Sequence, residues 1–465
     1  MKFQVSQRPL VATISAYLVI LTSIILLYFS QTLFPRETYQ NLIAETSKYD
    51  LVNSEVVTRA PTGWGADRAT ECLSLGMGLK PVSSSEILLN YYPNIKGSYN
   101  PCEGLIAWSS GQYTDFEFTS YARYWHGHSE ILRWGTLLFG VPVVRALLAL
   151  ILISLYFVLG ITIYRTLKNA VPFAPQLTII ALLVSYYLSG AIDLHNSMTH
   201  VLSEITILIM SIISLRLIKG THIRVFSFGF AMGGAYVTTS YMINPQSIPV
   251  AIISWSVIPL LIGAKKSQRE HFLIWRRFCF LFSGIMAGYI ALWMSKWILI
   301  DLLTSYPIWN DVLSQAQYRS SQSVTDLSSG VSANLSFAQN LPAPIQAILA
   351  NMLALGIKIW DPRFASLYGL LLILIVLMIL FVYLKSQRIR VNFNNTESIP
   401  ARQLIYANTT SLLCLFGWYA FMAQHSFDHA TYTYRSLSLW TSGLILSIGS
   451  SLVCSRTIRR TSNEA

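Results

Sequence analysis

Long apolar runs separated by short polar gaps set the pattern of this chain. A membrane-spanning helix needs roughly 20 mostly apolar residues in succession. Runs of that kind occupy residues 10–33, 141–164, 174–192, 200–218, 225–243, 247–263, 278–300, 366–384, 403–423 and 437–454. The pattern predicts an all-α polytopic membrane protein with about ten transmembrane helices and a long first extracytoplasmic loop. The first run follows Lys2 and Arg8. It is longer than the apolar core of a signal peptide, about 7–15 residues, and Phe34-Pro35-Arg36-Glu37 after it lacks the small residues of a cleavage site. It reads as a retained first helix.

Two gaps are long. Residues 34–135 hold eight Lys/Arg and eleven Asp/Glu, with frequent Gly, Pro, Ser and Tyr; this is the composition of an ordered loop with short helices. Residues 301–365 contain "SQAQYRSSQSVTDLSSGVSANLS", a polar, Ser-rich string that predicts a mobile stretch. It leads into "PAPIQAILANMLALGIKIW" (342–360), apolar at helical spacing but short of a full span, as in an interfacial or re-entrant helix. The expected organisation is a first transmembrane helix (1–33), an extracytoplasmic loop domain (34–135), transmembrane helices two to seven (136–300), a second extracytoplasmic segment (301–365), and helices eight to ten with a cytoplasmic tail (366–465).

Composition agrees. The 465 residues are 53% hydrophobic and 12% charged, whereas a soluble chain carries about a quarter charged residues. The net charge of +12 would suit a nucleic-acid partner, but its placement excludes that reading. Alternate gaps hold Arg165/Lys168, Lys219/Arg224, Lys265/Lys266/Arg269/Arg276/Arg277, Lys385/Arg388/Arg390/Arg402 and Arg456/Arg459/Arg460. Cytoplasmic loops collect Lys and Arg, so both termini are expected in the cytoplasm and both long gaps outside it. Of the five cysteines, Cys72 and Cys102 alone fall in outside loops. A pair facing an oxidising compartment predicts a disulfide, the alternative being two unpaired thiols.

Histidine distribution carries the candidate chemistry. His222 and His271 fall on the cytoplasmic side; His126, His128, His195, His200, His425 and His429 all fall at expected outer helix ends. The strings are "YARYWHGHSEILRW" (121–134), "DLHNSMTH" (193–200) and "QHSFDHATYTYR" (424–435). Imidazoles serve as acid, base or ligand near neutral pH. The plainer reading is an interfacial anchor, because Trp, Tyr, Arg and His are enriched at membrane surfaces. His425 and His429 are four apart and share a helix face. HxxxH can ligate a metal, but no Glu occupies the metalloprotease position between them. Arg123, Arg133 and Arg435 stand on the side that the positive-inside rule leaves poor in cations, and bidentate binding of phosphate is the natural work of Arg.

The candidate acids among the eleven of the first loop are Glu37, directly after the first helix, Asp67 and Glu71 in "GADRATEC", and Asp115 and Glu117 in "TDFEF". Each is a candidate general base, or a holder of a divalent cation with a phosphate; a solvated loop face is the alternative. Glu204 and Lys296 lie within apolar runs, where charge is costly and tends to be functional, unless the side chain snorkels to an end.

The first helix, the large loop 34–135 with its acids, and the further outside segment near 301–365 resemble the GT-C class of polytopic glycosyltransferases. The resemblance is architectural and covers most of the chain. It departs from the class in having one acid, Glu37, close to the first helix where paired acids are usual. It implies a multi-pass protein of the bacterial inner membrane that transfers sugar from a polyprenyl-phosphate donor to a glycan or lipid acceptor. Catalytic carboxylates would come from Glu37, Asp67 and Glu71. Arg123, His126, His128, His425, His429 and Arg435 would bind substrate. A transporter or flippase of a lipid-linked glycan, or a polysaccharide polymerase, is the alternative.

Overall fold

The computed structural model describes residues 8–47, 57–60, 63–97, 100–112, 114–171, 173–189, 191, 198–219, 225–240, 245–264, 268–320, 341–359 and 399–463. Asp193, His195, His222, the Ser-rich stretch 321–340 and the expected span 366–384 lie outside the described residues.

Helix dominates. Apolar helices α1 (Arg8–Phe29), α6 (Val141–Leu167), α7 (Ala174–Leu188), α8 (Met198–Lys219), α9 (Val225–Thr239), α10 (Ser247–Ile252), α11 (Ile258–Gly263), α12 (Gln268–Leu303), α15 (Ile399–Phe421) and α18 (Arg435–Asn463) form the bundle. Each expected run that the structure describes coincides with one or two of these helices. Among the described residues, five stretches are long and apolar enough to cross a membrane: Val11–Leu33, Val141–Leu167, Met198–Lys219, Gln268–Leu303 and Arg402–Phe421. The chain is an all-α membrane protein in this sense. The 36 residues of α12 rise about 54 Å, well beyond the hydrocarbon core of about 30 Å. One side of α12 is an apolar stripe open to its surroundings, with Met286, Ile290, Met294, Ile298 and Leu302 exposed at four-residue intervals.

Helices α9 and α12 touch backbone to backbone. Gly229 and Gly233 on α9 face Gly284 and Gly288 on α12 as paired small-xxx-small motifs, which let membrane helices approach closely. A Cβ on Gly233 would sit 2.0 Å from the Ile285 carbonyl oxygen, and one on Gly288 2.0 Å from that of Phe230. No side chain fits there.

The described part of the first loop packs against one end of the bundle. It contains α2 (Arg36–Ser47), the hairpin β1 (Val57–Ala60) and β2 (Gly63–Asp67), α3 (Arg68–Gly76), β3 (Tyr92–Ile95), α4 (Pro101–Ser109) and β4 (Phe116–Thr119). Strands β3 and β4 pair antiparallel, Tyr92 opposite Thr119 and Ile95 opposite Phe116. Cys72 on α3 and Cys102 on α4 are joined by a disulfide with Cα atoms 4.9 Å apart. Asp115 and Glu117 are exposed, as a solvated loop face requires. Helix α5 (Gly127–Phe139) then leads into α6, and Gly140, at φ +77°, makes the break between them in a backbone region that glycine favours.

The second long gap begins with α13 (Ile308–Arg319) and, beyond residue 340, continues as α14 (Ala343–Ile359). Ala343, Ala347, Ala350 and Ala354 are buried, a narrow stripe that packs α14 against the short helix α16 (Ala423–Asp428), α17 (Ala430–Thr433) and α15.

Candidate functional site

The string 121–134 is folded inward at the start of α5. Tyr28, near the end of α1, accepts hydrogen bonds at its hydroxyl from the His126 amide (2.7 Å) and the Asn90 side chain (2.9 Å). Gly127 follows because nothing larger fits: a Cβ there would lie 2.4 Å from the Thr238 carbonyl oxygen of α9. His126 stacks on Tyr121 with ring centroids 5.0 Å apart and meets His128 edge-on at 5.5 Å. Both histidines are buried, 2% and 1% exposed. An interfacial anchor would turn its ring toward lipid headgroups, so burial removes that reading for these two.

Burial holds His126 well below the ordinary imidazole value, with the charges of Lys296 and His128 acting the same way. Burial, then the neighbouring His200, pushes His128 down to about 3. Both rings are therefore neutral at physiological pH. Neutral imidazole offers one N–H donor and one acceptor nitrogen; with so low an affinity for protons, His128 is suited to hydrogen bonding and poorly suited to proton shuttling.

Helix α8 brings the next groups. His200 and Glu204 are one turn apart and both buried. The Tyr156 hydroxyl of α6 donates to Glu204 at 2.8 Å. Tyr236 of α9 is close enough to feel the Glu204 charge, and its fully buried hydroxyl has no hydrogen-bond partner among the described residues. Arg435, first residue of α18 and 7% exposed, also acts electrostatically on Glu204. Helix α8 thus links the two histidine strings: His200 interacts with His128, and Glu204 with Arg435.

The string 424–435 is pinned by α14. Asn351 donates to the Ser426 carbonyl (2.9 Å) and accepts from Thr433 (2.5 Å), while Tyr419 donates to the Thr433 carbonyl (2.9 Å). This holds the His425 and His429 rings together, centroids 4.6 Å apart. His425 is buried and His429 half-buried.

Several expected site residues are occupied by structural work. Glu71 is buried in an ion pair with Arg145 of α6 and accepts the Met198 amide at 3.0 Å. It caps the first turn of α8, where a carboxylate is favoured by the exposed amides and the helix dipole. Glu37 is exposed on the first turn of α2. Asp67 ends β2 directly ahead of α3, one turn from Glu71. Arg133 is fully buried and paired with Glu130, which also accepts from Gln31 at 2.5 Å; burial raises the Glu130 pKa against the lowering effect of Arg133. Arg123 pairs with Asp311 of α13 at 2.7 Å. Lys296 of α12 is fully buried, donates to the Tyr124 carbonyl and lies 5.5 Å from the centre of the Tyr28 ring. Among the described residues, no three His, Cys, Asp or Glu side chains are grouped as a metal site.

No family model, curated protein or solved structure matches the chain. The geometry therefore carries the argument. Local spacing could not reveal Tyr156, Tyr236, Asn351 or Asp311 as partners, because each comes from a distant segment. Glu204 was visible as a charge inside an apolar run, and His200 as one of the outer histidines.

Proposed function

We propose that the protein is a membrane glycosyltransferase, with about ten spans, that moves a sugar from a polyprenyl-phosphate donor to a cell-surface glycan or lipid at the outer face of the bacterial inner membrane. The observation that carries this reading is the burial of both Glu204 and Arg435, two charged residues near the ends of apolar helices and close enough to influence each other electrostatically. Charge in such a place is costly and marks a functional site. Arg435 supplies a guanidinium for the donor phosphate, whose geometry it matches in two-pronged fashion. The neutral His126 and His128, with His425 and His429, offer hydrogen bonds to sugar hydroxyls. Of the three loop carboxylates, Glu71 is committed to Arg145 and the Met198 amide, and Glu37 stands exposed on α2. Asp67, the last residue of β2 directly ahead of α3, is the one assigned to the acceptor hydroxyl, from which it takes the proton as the hydroxyl oxygen attacks the anomeric carbon and the sugar–phosphate bond breaks.

The test is glycan output at matched protein level in cells carrying Asp67→Asn or Arg435→Gln. Both variants accumulate and lose product on this reading; full output from both refutes it. A second reading, translocation of an anionic lipid-linked glycan, is favoured by the burial of Lys296 and Glu204 within membrane helices. Proteoliposomes separate the two: the enzyme makes a new glycosidic bond, whereas the transporter changes only the leaflet in which the labelled lipid is found.

A further inference from the structure

Helix α13 has two unlike faces. One is tied to the wall of the candidate site. Ile308 is fully buried, Asp311 pairs with Arg123 at 2.7 Å, and Arg319 donates to the Tyr124 hydroxyl. The Tyr306 hydroxyl adds a bond to the second Asp311 oxygen at 3.1 Å. The other face presents Trp309 and Leu313, 38% and 59% exposed. Four residues apart, they share one side of the helix.

What covers that side follows from its position. Helix α12 is a candidate membrane span, and its exposed apolar stripe ends at Leu302, 73% exposed, followed by Leu303 at 52%. Only Thr304–Pro307 separate it from α13, and four residues reach at most about 14 Å. The exposed apolar side of α13 therefore lies close to the end of the exposed apolar stripe of α12. A helix with an apolar face, a Trp and a polar opposite side is the form that lies in the plane of a lipid surface.

We propose that α13 is a membrane-surface helix: Trp309 and Leu313 seat in the boundary between headgroups and acyl chains, while Asp311 and Arg319 hold the segment Arg123–Tyr124. The partner is the lipid bilayer itself. The inference does not depend on the proposed sugar transfer. It makes the lipid surface a support for the wall that carries His126, so that the wall is set at a fixed depth.

The test uses spin labels on the full-length protein in phosphatidylethanolamine–phosphatidylglycerol vesicles. Cys279, Cys414 and Cys454 are replaced by Ser, and the Cys72–Cys102 disulfide is kept. Labels are placed at Leu313→Cys and at its neighbour Ser314→Cys, both exposed positions. Collision with oxygen, which concentrates in lipid, is compared with collision with a water-soluble nickel chelate. The label at 313 favours oxygen and the label at 314 favours nickel. Nickel preference at both sites overturns the proposal, as does oxygen preference at both, which would mean a helix immersed in the bilayer. A second measurement addresses the tie. Asp311→Asn combined with Arg319→Gln raises the mobility of the label at 313 at least about twofold while its oxygen preference persists; unchanged mobility shows that the two side chains do not hold the helix.

Discussion

The contact between α9 and α12 and the contact between α5 and α8 are made by opposite chemistry. The first centres on four glycines where backbone meets backbone, with the Tyr236 and Tyr289 rings stacked beside them at 6.3 Å between centroids. Glycines in such a seam serve close packing. The second brings together His126 and His128 from α5 with His200 and Glu204 from α8, all buried. For stability alone, apolar side chains would serve better there, since buried charges rarely repay their desolvation. The comparison separates what the bundle needs in order to form from what it holds in addition. The two regions are mechanically joined, because α9 leaves the glycine seam and ends with the Thr238 carbonyl pressed against Gly127, between the two histidines.

The largest expected effect is on the seam. Gly233→Leu or Gly288→Leu must push α9 and α12 apart, and the amount of folded protein in the membrane falls at least about tenfold, as monodisperse protein recovered from detergent will show. Gly127→Val comes next. Its side chain meets the Thr238 carbonyl and Ile24, and a loss of stability of about 1–3 kcal/mol is expected from such overpacking, read as a lower melting temperature with protein still recovered. If Gly127→Val is harmless, the joint between seam and polar layer is absent.

A smaller effect sharpens the comparison from the polar side. His128 has its pKa lowered to about 3 in the folded protein, against about 6.5 unfolded. Between those values the unfolded chain binds a proton that the folded one does not, so stability is lost as pH falls through that window. His128→Gln removes this contribution. The drop in melting temperature between pH 7.5 and pH 5.5 is therefore shallower in the variant than in the wild type. Equal slopes would mean that His128 is not in the dry environment described above.

Much of the bundle was legible because a membrane-spanning helix declares itself by length and apolar composition, and the expected runs at 10–33, 141–164, 200–218 and 278–300 correspond to long helices. The buried pairings were not legible. Glu71 looked like a catalytic acid because it stands in the first outside loop four residues from Asp67; its partner Arg145 lies on another helix, and the amide it caps, Met198, farther on still. Arg123 and Arg133 looked like phosphate binders until Asp311 and Glu130 were found beside them. Each of these cations has a carboxylate beside it in the folded chain, one turn away for Arg133 and 188 residues away for Arg123. Asn351 sits in a run of alanines and leucines that gives no hint of the loop it fastens.

The measurement that reaches the central claim most directly compares Glu204→Gln with the wild type. The variant keeps the shape of the side chain and a hydrogen-bond acceptor for Tyr156 while removing the charge on which Arg435 acts electrostatically. Purified protein is reconstituted with a short-chain polyprenyl-phosphate sugar and an envelope lipid acceptor, and product is scored against protein recovered. The account predicts wild-type recovery and melting temperature within about 1 kcal/mol of stability, with product formation lowered at least about 100-fold. Undiminished product formation from a Glu204→Gln protein would contradict it, since the buried charge would then be no part of the site.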